Sequence, residues 1–131
     1  MNEGDCFYNL GVSFGHEENW VKAISCYTKA IEINPSDYEA YGNRGVAYSL
    51  IGDMYSALKD FEKSVEIKPG GNSLASFNLA NYYYEHGLSC LEHGNREEAL
   101  QMFDRGKQLN PGWFNLESTK GKIANLLHPK Q

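Results

Sequence analysis

The residues with most chemistry to offer are His86, Cys90 and His93, spaced i, i+4 and i+7. On a helix that spacing places imidazole, thiol and imidazole on roughly one face, and these are donor types that hold zinc. A structural zinc site takes four ligands and a catalytic one takes three plus water. No spacing marks the ligand that would complete the set, and ordinary turn and packing roles account for all three residues. Neither a metal nor another cofactor is therefore expected. Catalysis has as little to build on: the chain has no phosphate-cradling glycine loop, no nucleophile elbow and no metalloprotease helix. Cys26 has only distant histidines for company, and His16 with Glu17 and Glu18 reads as a solvated helix end. The expectation is a protein that is not an enzyme.

Charge narrows the partners. The 131 residues carry 12 Lys+Arg against 17 Asp+Glu, a formal charge of −5. Without a basic block there is no footprint for neutralising nucleic-acid phosphates, and the same sign opposes an anionic membrane surface. No apolar run approaches the roughly 18 residues of a membrane span. Met1 to Leu10 is acidic, unlike a basic leader followed by an apolar stretch. These features predict a cytoplasmic protein without nucleic-acid or membrane partners. Three cysteines, Cys6, Cys26 and Cys90, make no disulfide framework and read as free thiols. The length suits one domain with its own core.

Positioning elements emerge from a repeat. Pro35, Pro69 and Pro111 lie 34 and 42 residues apart, and the same intervals separate Ala23, Ala57 and Ala99, as well as Gly11, Gly45 and Gly87. A fixed period of this length signals stacked supersecondary units. Asn19, Asp53 and Asn95 recur before each second helix as N-cap candidates. Ser36 and Glu39 have the spacing of a capping box, and each proline ends the helix before it. Gly52 and either Gly87 or Gly94 supply turns, with Glu18 at that place in the first repeat. Small residues, Gly11, Gly45 and Ala80 with Ala23, Ala57 and Ala99, mark close backbone approach. Tyr27, Phe61 and Phe103 follow the alanines one turn later on the same face.

Phe7-x2-Leu10-Gly11-x2-Phe14 followed by Ala23-x3-Tyr27-x2-Ala30-x4-Pro35 closely resembles the tetratricopeptide repeat. The second copy keeps Tyr41, Gly45, Tyr48, Ala57, Phe61 and Pro69, with Ser64 in the third small position and Arg44 where the family usually has an aliphatic residue. In the third, Glu85-His86-Gly87 and Glu92-His93-Gly94 repeat seven apart, close to two helical turns. The resemblance implies an all-α solenoid of three antiparallel helix pairs and a C-terminal capping helix, with the first helix of the third repeat lengthened by about two turns. The single domain, 1–131, divides into repeats at about 4–37, 38–71 and 72–112 with a capping helix at 113–127.

In that family the first helices line a concave face that holds peptide segments of other proteins. Carried onto this sequence, the groove takes Asp5, Tyr8, Asn9 and Val12, then Glu39, Gly42, Asn43 and Val46. The long helix adds Leu74, Phe77, Asn78, Asn81, Tyr84 and Glu85, continuing to Leu88 and Leu91, while Tyr82 and Tyr83 read as core. Asn9, Asn43 and Asn78 are suited to an extended peptide backbone or to local helix–helix hydrogen bonds. Some family members grip an acidic C-terminal peptide through two Lys, one Arg and two Asn. The matching positions here hold Tyr8, Val12, Asn43, Leu74 and Asn78, so only Asn43 agrees, and Asp5, Glu39 and Glu85 would repel a carboxylate. The resulting expectation is an interaction module for a neutral or basic peptide or helix with apolar anchors, not an acidic clamp ligand. The alternatives are a scaffold that dimerises through the terminal helix, where Trp113, Phe114, Leu116, Ile123, Leu126 and Leu127 stand, and a secretion-type chaperone. A monomer or weak homodimer is expected.

Overall fold

The computed structural model describes residues 2–110 together with Gly121 and Ala124. Six helices follow one another: α1 (Glu3–His16), α2 (Trp20–Ile33), α3 (Tyr38–Leu50), α4 (Met54–Ile67), α5 (Ser73–Glu92) and α6 (Arg96–Leu109). Among the described residues there is no strand. The architecture is all-α, three antiparallel helix pairs of the solenoid class. The expected capping helix over 113–127, and the apolar residues on it, lie outside the described residues. Two compact units divide the chain inside α5, Met1–Ser76 and Phe77–Gln131.

Helices α1 to α5 each begin where a short polar side chain meets free backbone N–H groups. Asn19 accepts from the Lys22 N–H at 3.3 Å and Asp53 from the Ser56 N–H at 3.1 Å. Asn95 occupies the same place without a side-chain cap bond. The cap of α3 is Asp37, which accepts from the Ala40 N–H at 3.1 Å, and not Ser36. Ser36 instead donates its N–H to Asn34 Oδ1, so the helix starts one residue later than the capping-box spacing indicates. Gly52 and Gly94 turn the chain with φ of +89° and +82°; Glu18, at the equivalent place, is held at +59°.

In the first unit α1 packs on α2, α2 on α3 and α3 on α4. The core rests on a pairing that recurs through the chain. A Cβ on Gly11 would meet the Tyr27 ring at 2.7 Å, one on Gly45 the Phe61 ring at 2.6 Å, and one on Gly87 the Phe103 ring at 2.6 Å. Glycine on the first helix of each pair lets the aromatic of the second lie flat against its backbone. Ala23, Ala57 and Ala99 are wholly buried.

This register corrects two expectations. The third position of close approach is Gly87, inside α5, and the turn belongs to Gly94 alone. Everything from Gly87 onward keeps the spacing of the other repeats, so the added turns of the 20-residue α5 lie at its start.

Arg44 departs from an aliphatic position because α4 supplies its counter-charge. Its Nε and Nη2 donate to the two Asp60 carboxylate oxygens at 2.7 and 2.8 Å, and Nη1 donates to Thr28 Oγ1 at 3.2 Å. Burial alone would push the guanidinium pKa down; the Asp60 carboxylate outweighs it and the net shift is upward.

Candidate functional site

A cleft of about 210 Å³ opens in the first unit. Val12 from α1, Val46 from α3 and Leu74 from the start of α5 form an apolar wall, joined by Trp20 and Tyr27 of α2. Asn43 is the polar group among them, with His16 at the edge. Of the residues placed in the groove from sequence, Val12, Asn43, Val46 and Leu74 come together here. Trp20 was missed. The available signal was Gly15, whose Cβ would touch the Trp20 ring at 3.4 Å, so that glycine leaves room for an indole folding back across the turn.

Beside the cleft runs a rank of hydrogen bonds. Asn43 Nδ2 donates to the Tyr8 hydroxyl at 3.0 Å, and Asn43 Oδ1 accepts from Asn72 Nδ2 at 3.4 Å. Asn72 Nδ2 also reaches Glu39 Oε2 at 3.2 Å, while its Oδ1 caps α5 by accepting from the Ala75 N–H at 2.9 Å. Asn72, only 5% exposed, closes against the bare backbone of Gly42. As the N-cap of α5 it holds the place that Asp37 holds before α3, and through Asn43 and Tyr8 it ties α1, α3 and α5 into one polar line. Asn43 thus makes the helix–helix bonds considered for it and faces the cleft as well. Burial, then the Glu39 charge, pushes the Tyr8 hydroxyl pKa up, which keeps it protonated. Burial, then Tyr8, pushes Tyr27 up to about 12. The two rings tilt against each other with centroids 5.9 Å apart.

The remaining groove candidates are placed less uniformly. Asp5 is exposed, and its carboxylate accepts from the Asn2 N–H at 3.3 Å as part of the α1 capping box. Asn9 is exposed on α1. On α5, Phe77, Asn81 and Glu85 are exposed and Asn78 is half-buried. Tyr84 differs from its assignment: at 5% exposure it sits in the second unit's core with Cys90, Ala99 and Phe103, its ring 6.0 Å from that of Phe103. Tyr82 and Tyr83, expected in the core, are only half-buried. The three tyrosines are consecutive, so a rotation of about 100° per residue decides which one faces α6, and Gly87 sets that rotation by seating Phe103.

The histidine–cysteine stripe is also rearranged. His86 Nε2 lies 3.5 Å from Glu98 Oε1, and Cys90 is buried beside them. Burial, then the Glu98 carboxylate, pushes the Cys90 thiol pKa up. His93 turns away, its Nδ1 2.8 Å from the Ser89 carbonyl oxygen.

Helix pairs with a small residue on one member seated against an aromatic on the other, a polar first-helix line and an adjoining cleft define an α-solenoid repeat protein. Residues 4–37 and 26–59 match family models described as tetratricopeptide repeat. The Hsp70-Hsp90 organizing protein 2 of Arabidopsis thaliana is 41% identical over 110 residues, which is 84% of this chain and 18% of that protein. YrrB, a TPR protein whose solved structure shows an unusual peptide-binding site, superposes with a TM-score of 0.57 at 30% identity, over 86% of this chain and 54% of that one. The first TPR of Spaghetti (RPAP3), solved bound to the HSP90 peptide SRMEEVD, shares the fold with a TM-score of 0.59 at 20% identity, over 95% of this chain and 90% of that one. The chain belongs to the tetratricopeptide-repeat family, and it spans between 15% and 22% of the length of the organizing proteins it matches. A role without catalysis agrees with relatives named as organizing and repeat proteins. Among the described residues no helix is long and apolar enough to cross a membrane.

These findings overturn the expectation of a neutral or basic ligand and the exclusion of an acidic one. The same fold holds the acidic HSP90 peptide SRMEEVD in RPAP3, and Hsp70-Hsp90 organizing proteins are among the relatives. Repulsion from Asp5, Glu39 and Glu85 is too weak a ground for excluding an acidic ligand. Asp5 accepts from the Asn2 N–H and Glu39 from Asn72 Nδ2, bonds that hold the two carboxylates in place. Exposed charges are moreover screened beyond about 8 Å at physiological salt.

Proposed function

We propose that this chain is a protein-interaction module that holds an extended segment of a partner protein along the cleft of its first unit. The observation that carries the reading is the Tyr8–Asn43–Asn72 rank lying beside the apolar wall of Val12, Val46 and Leu74. Amide and hydroxyl groups recognise a peptide main chain, and the wall receives a side chain from it. Main-chain recognition does not depend on the sign of the ligand's side chains. An acidic segment, of the kind bound by RPAP3, is therefore the first ligand to test. Asp5, Asn9 and Glu39 flank this line and belong to the proposed site. The module works in the cytoplasm as a monomer or weak homodimer, without nucleic acid, and its repeats divide near residues 37 and 71.

Fluorescence anisotropy with a labelled SRMEEVD peptide and its C-terminally amidated form tests the reading. Loss of one cleft hydrogen bond, in Asn43→Ala, is expected to weaken binding by about fivefold to tenfold. Leu74→Gln changes a side chain already 51% exposed, so it leaves folding intact and should weaken binding similarly. Affinity unchanged in both variants, with circular dichroism showing them folded, would remove the cleft from the proposal.

A further inference from the structure

We propose that His86, Cys90 and Glu98 form a binding site for a borderline-soft divalent metal ion, Zn²⁺ in the first place, that clips the end of α5 to the start of α6. The three ligand atoms already lie within 4.8 Å of one another. Zinc bonds of about 2.3 Å to sulfur and 2.0–2.2 Å to nitrogen and oxygen, at tetrahedral angles, separate ligand atoms by about 3.3–3.6 Å. His86 Nε2 and Glu98 Oε1 stand at 3.5 Å. Closing the widest pair takes about 1 Å of side-chain motion.

The outer surroundings fit the same role. Tyr82 Oη lies 3.4 Å from His86 Nδ1, one helical turn before it. In the tautomer with Nδ1–H donating to that oxygen, Nε2 is left with its lone pair free for a metal, just as a metal-bound histidine donates its other ring N–H to a neighbouring acceptor. Thiolate and carboxylate balance the dication's charge, and imidazole with thiolate favours zinc over magnesium or calcium. Solvent reaches the site from the Glu98 side and supplies the fourth position.

Comparison within the chain shows that the donor set is particular to the third repeat. The register of Cys90 and Glu98 is held in the first repeat by Phe14 and Lys22, where the ammonium lies 5.5 Å from the ring centroid, and in the second by Tyr48 and Ser56. These positions face each other across the helix pair in ordinary packing; only here do they carry metal-binding groups.

Titration of the reduced full chain with Zn²⁺ against a chromophoric chelator, and with Co²⁺ followed by visible absorption, tests the assignment. The expected result is one equivalent bound, a thiolate-to-cobalt charge-transfer band and tetrahedral cobalt bands, with a rise in Tm on adding zinc. His86→Gln, Cys90→Ser and Glu98→Gln should each lower affinity at least tenfold. His93→Gln and Cys6→Ser should leave it unchanged. Absence of stoichiometric binding, survival of binding in Cys90→Ser, or loss of it in His93→Gln would each overturn the site.

Discussion

Replacing Gly45 by alanine separates two opposed effects that the structure allows to be weighed. On a solvent-facing helix the change raises stability by about 1 kcal/mol, because alanine loses less backbone entropy than glycine. Here the new Cβ would stand 2.6 and 2.7 Å from two atoms of the Phe61 ring and 3.2 Å from the Ala57 carbonyl oxygen. Carbon contacts are comfortable at about 3.5–4.0 Å, so the ring must retreat by about 1 Å. Phe61 is 1% exposed and Ala57 behind it is wholly buried, which leaves nowhere to retreat. Overpacking of this kind costs about 1–3 kcal/mol, and the net expectation after the propensity gain is a loss of about 1 kcal/mol, the middle of a range from zero to about 2 kcal/mol. With a urea m-value of about 1–3 kcal/mol/M, a loss of about 1 kcal/mol lowers the unfolding midpoint by roughly 0.3–1 M. The same substitution in a Phe61→Leu background, where the ring edge is gone, should cost at least about 1 kcal/mol less. A gain in stability from Gly45→Ala alone, or equal costs in both backgrounds, would refute the claim that glycine is there to seat an aromatic.

Asp60→Ala strands the Arg44 guanidinium in a site where its side chain is 17% exposed and should cost about 3 kcal/mol, while Arg44→Leu with Asp60→Leu restores an apolar contact and should cost less. Chemical denaturation of both decides it, and a double variant less stable than Asp60→Ala would contradict the account. Glu18→Gly relieves a side chain at φ +59° and should stabilise by about 1 kcal/mol; an unchanged midpoint would mean the turn is unstrained. Folded Tyr27 keeps its proton to about pH 12, against an ordinary value of 10.0. Between those values the native state binds more protons than the unfolded chain. Stability present below pH 10 is therefore lost as pH rises toward 12, by an amount on the order of 1–2 kcal/mol. Urea titrations at pH 8.5 and 11 should show a steeper loss for wild type than for Tyr27→Phe, and parallel losses would rule the assignment out.

Spacing along the chain was enough to establish the helix pairs and the approximate places where they start and stop. Gly11, Ala23, Tyr27 and Pro35 recur because each pair must bring two backbones close, fill the gap beside them and stop. Those demands act within about 34 residues and leave a visible period. Lengthening of the third repeat's first helix was legible for the same reason. Which of Gly87 and Gly94 turned the chain was not, since both precede plausible helices and only the seating of Phe103 separates them. Tyr84 went to the groove from its register and to the core in fact, because consecutive tyrosines offer equal apolar area and packing against α6 chooses among them.

What tertiary structure alone decided is which polar groups meet. Arg44 finds Asp60, Asn72 joins Asn43 to Glu39, and Glu98 takes the place beside His86 and Cys90 that helical spacing would have given to His93. Periodicity within one helix fixes the face a residue occupies, but not what stands opposite. That depends on the stagger and separation of two helices, and these are set by the volumes packed between them.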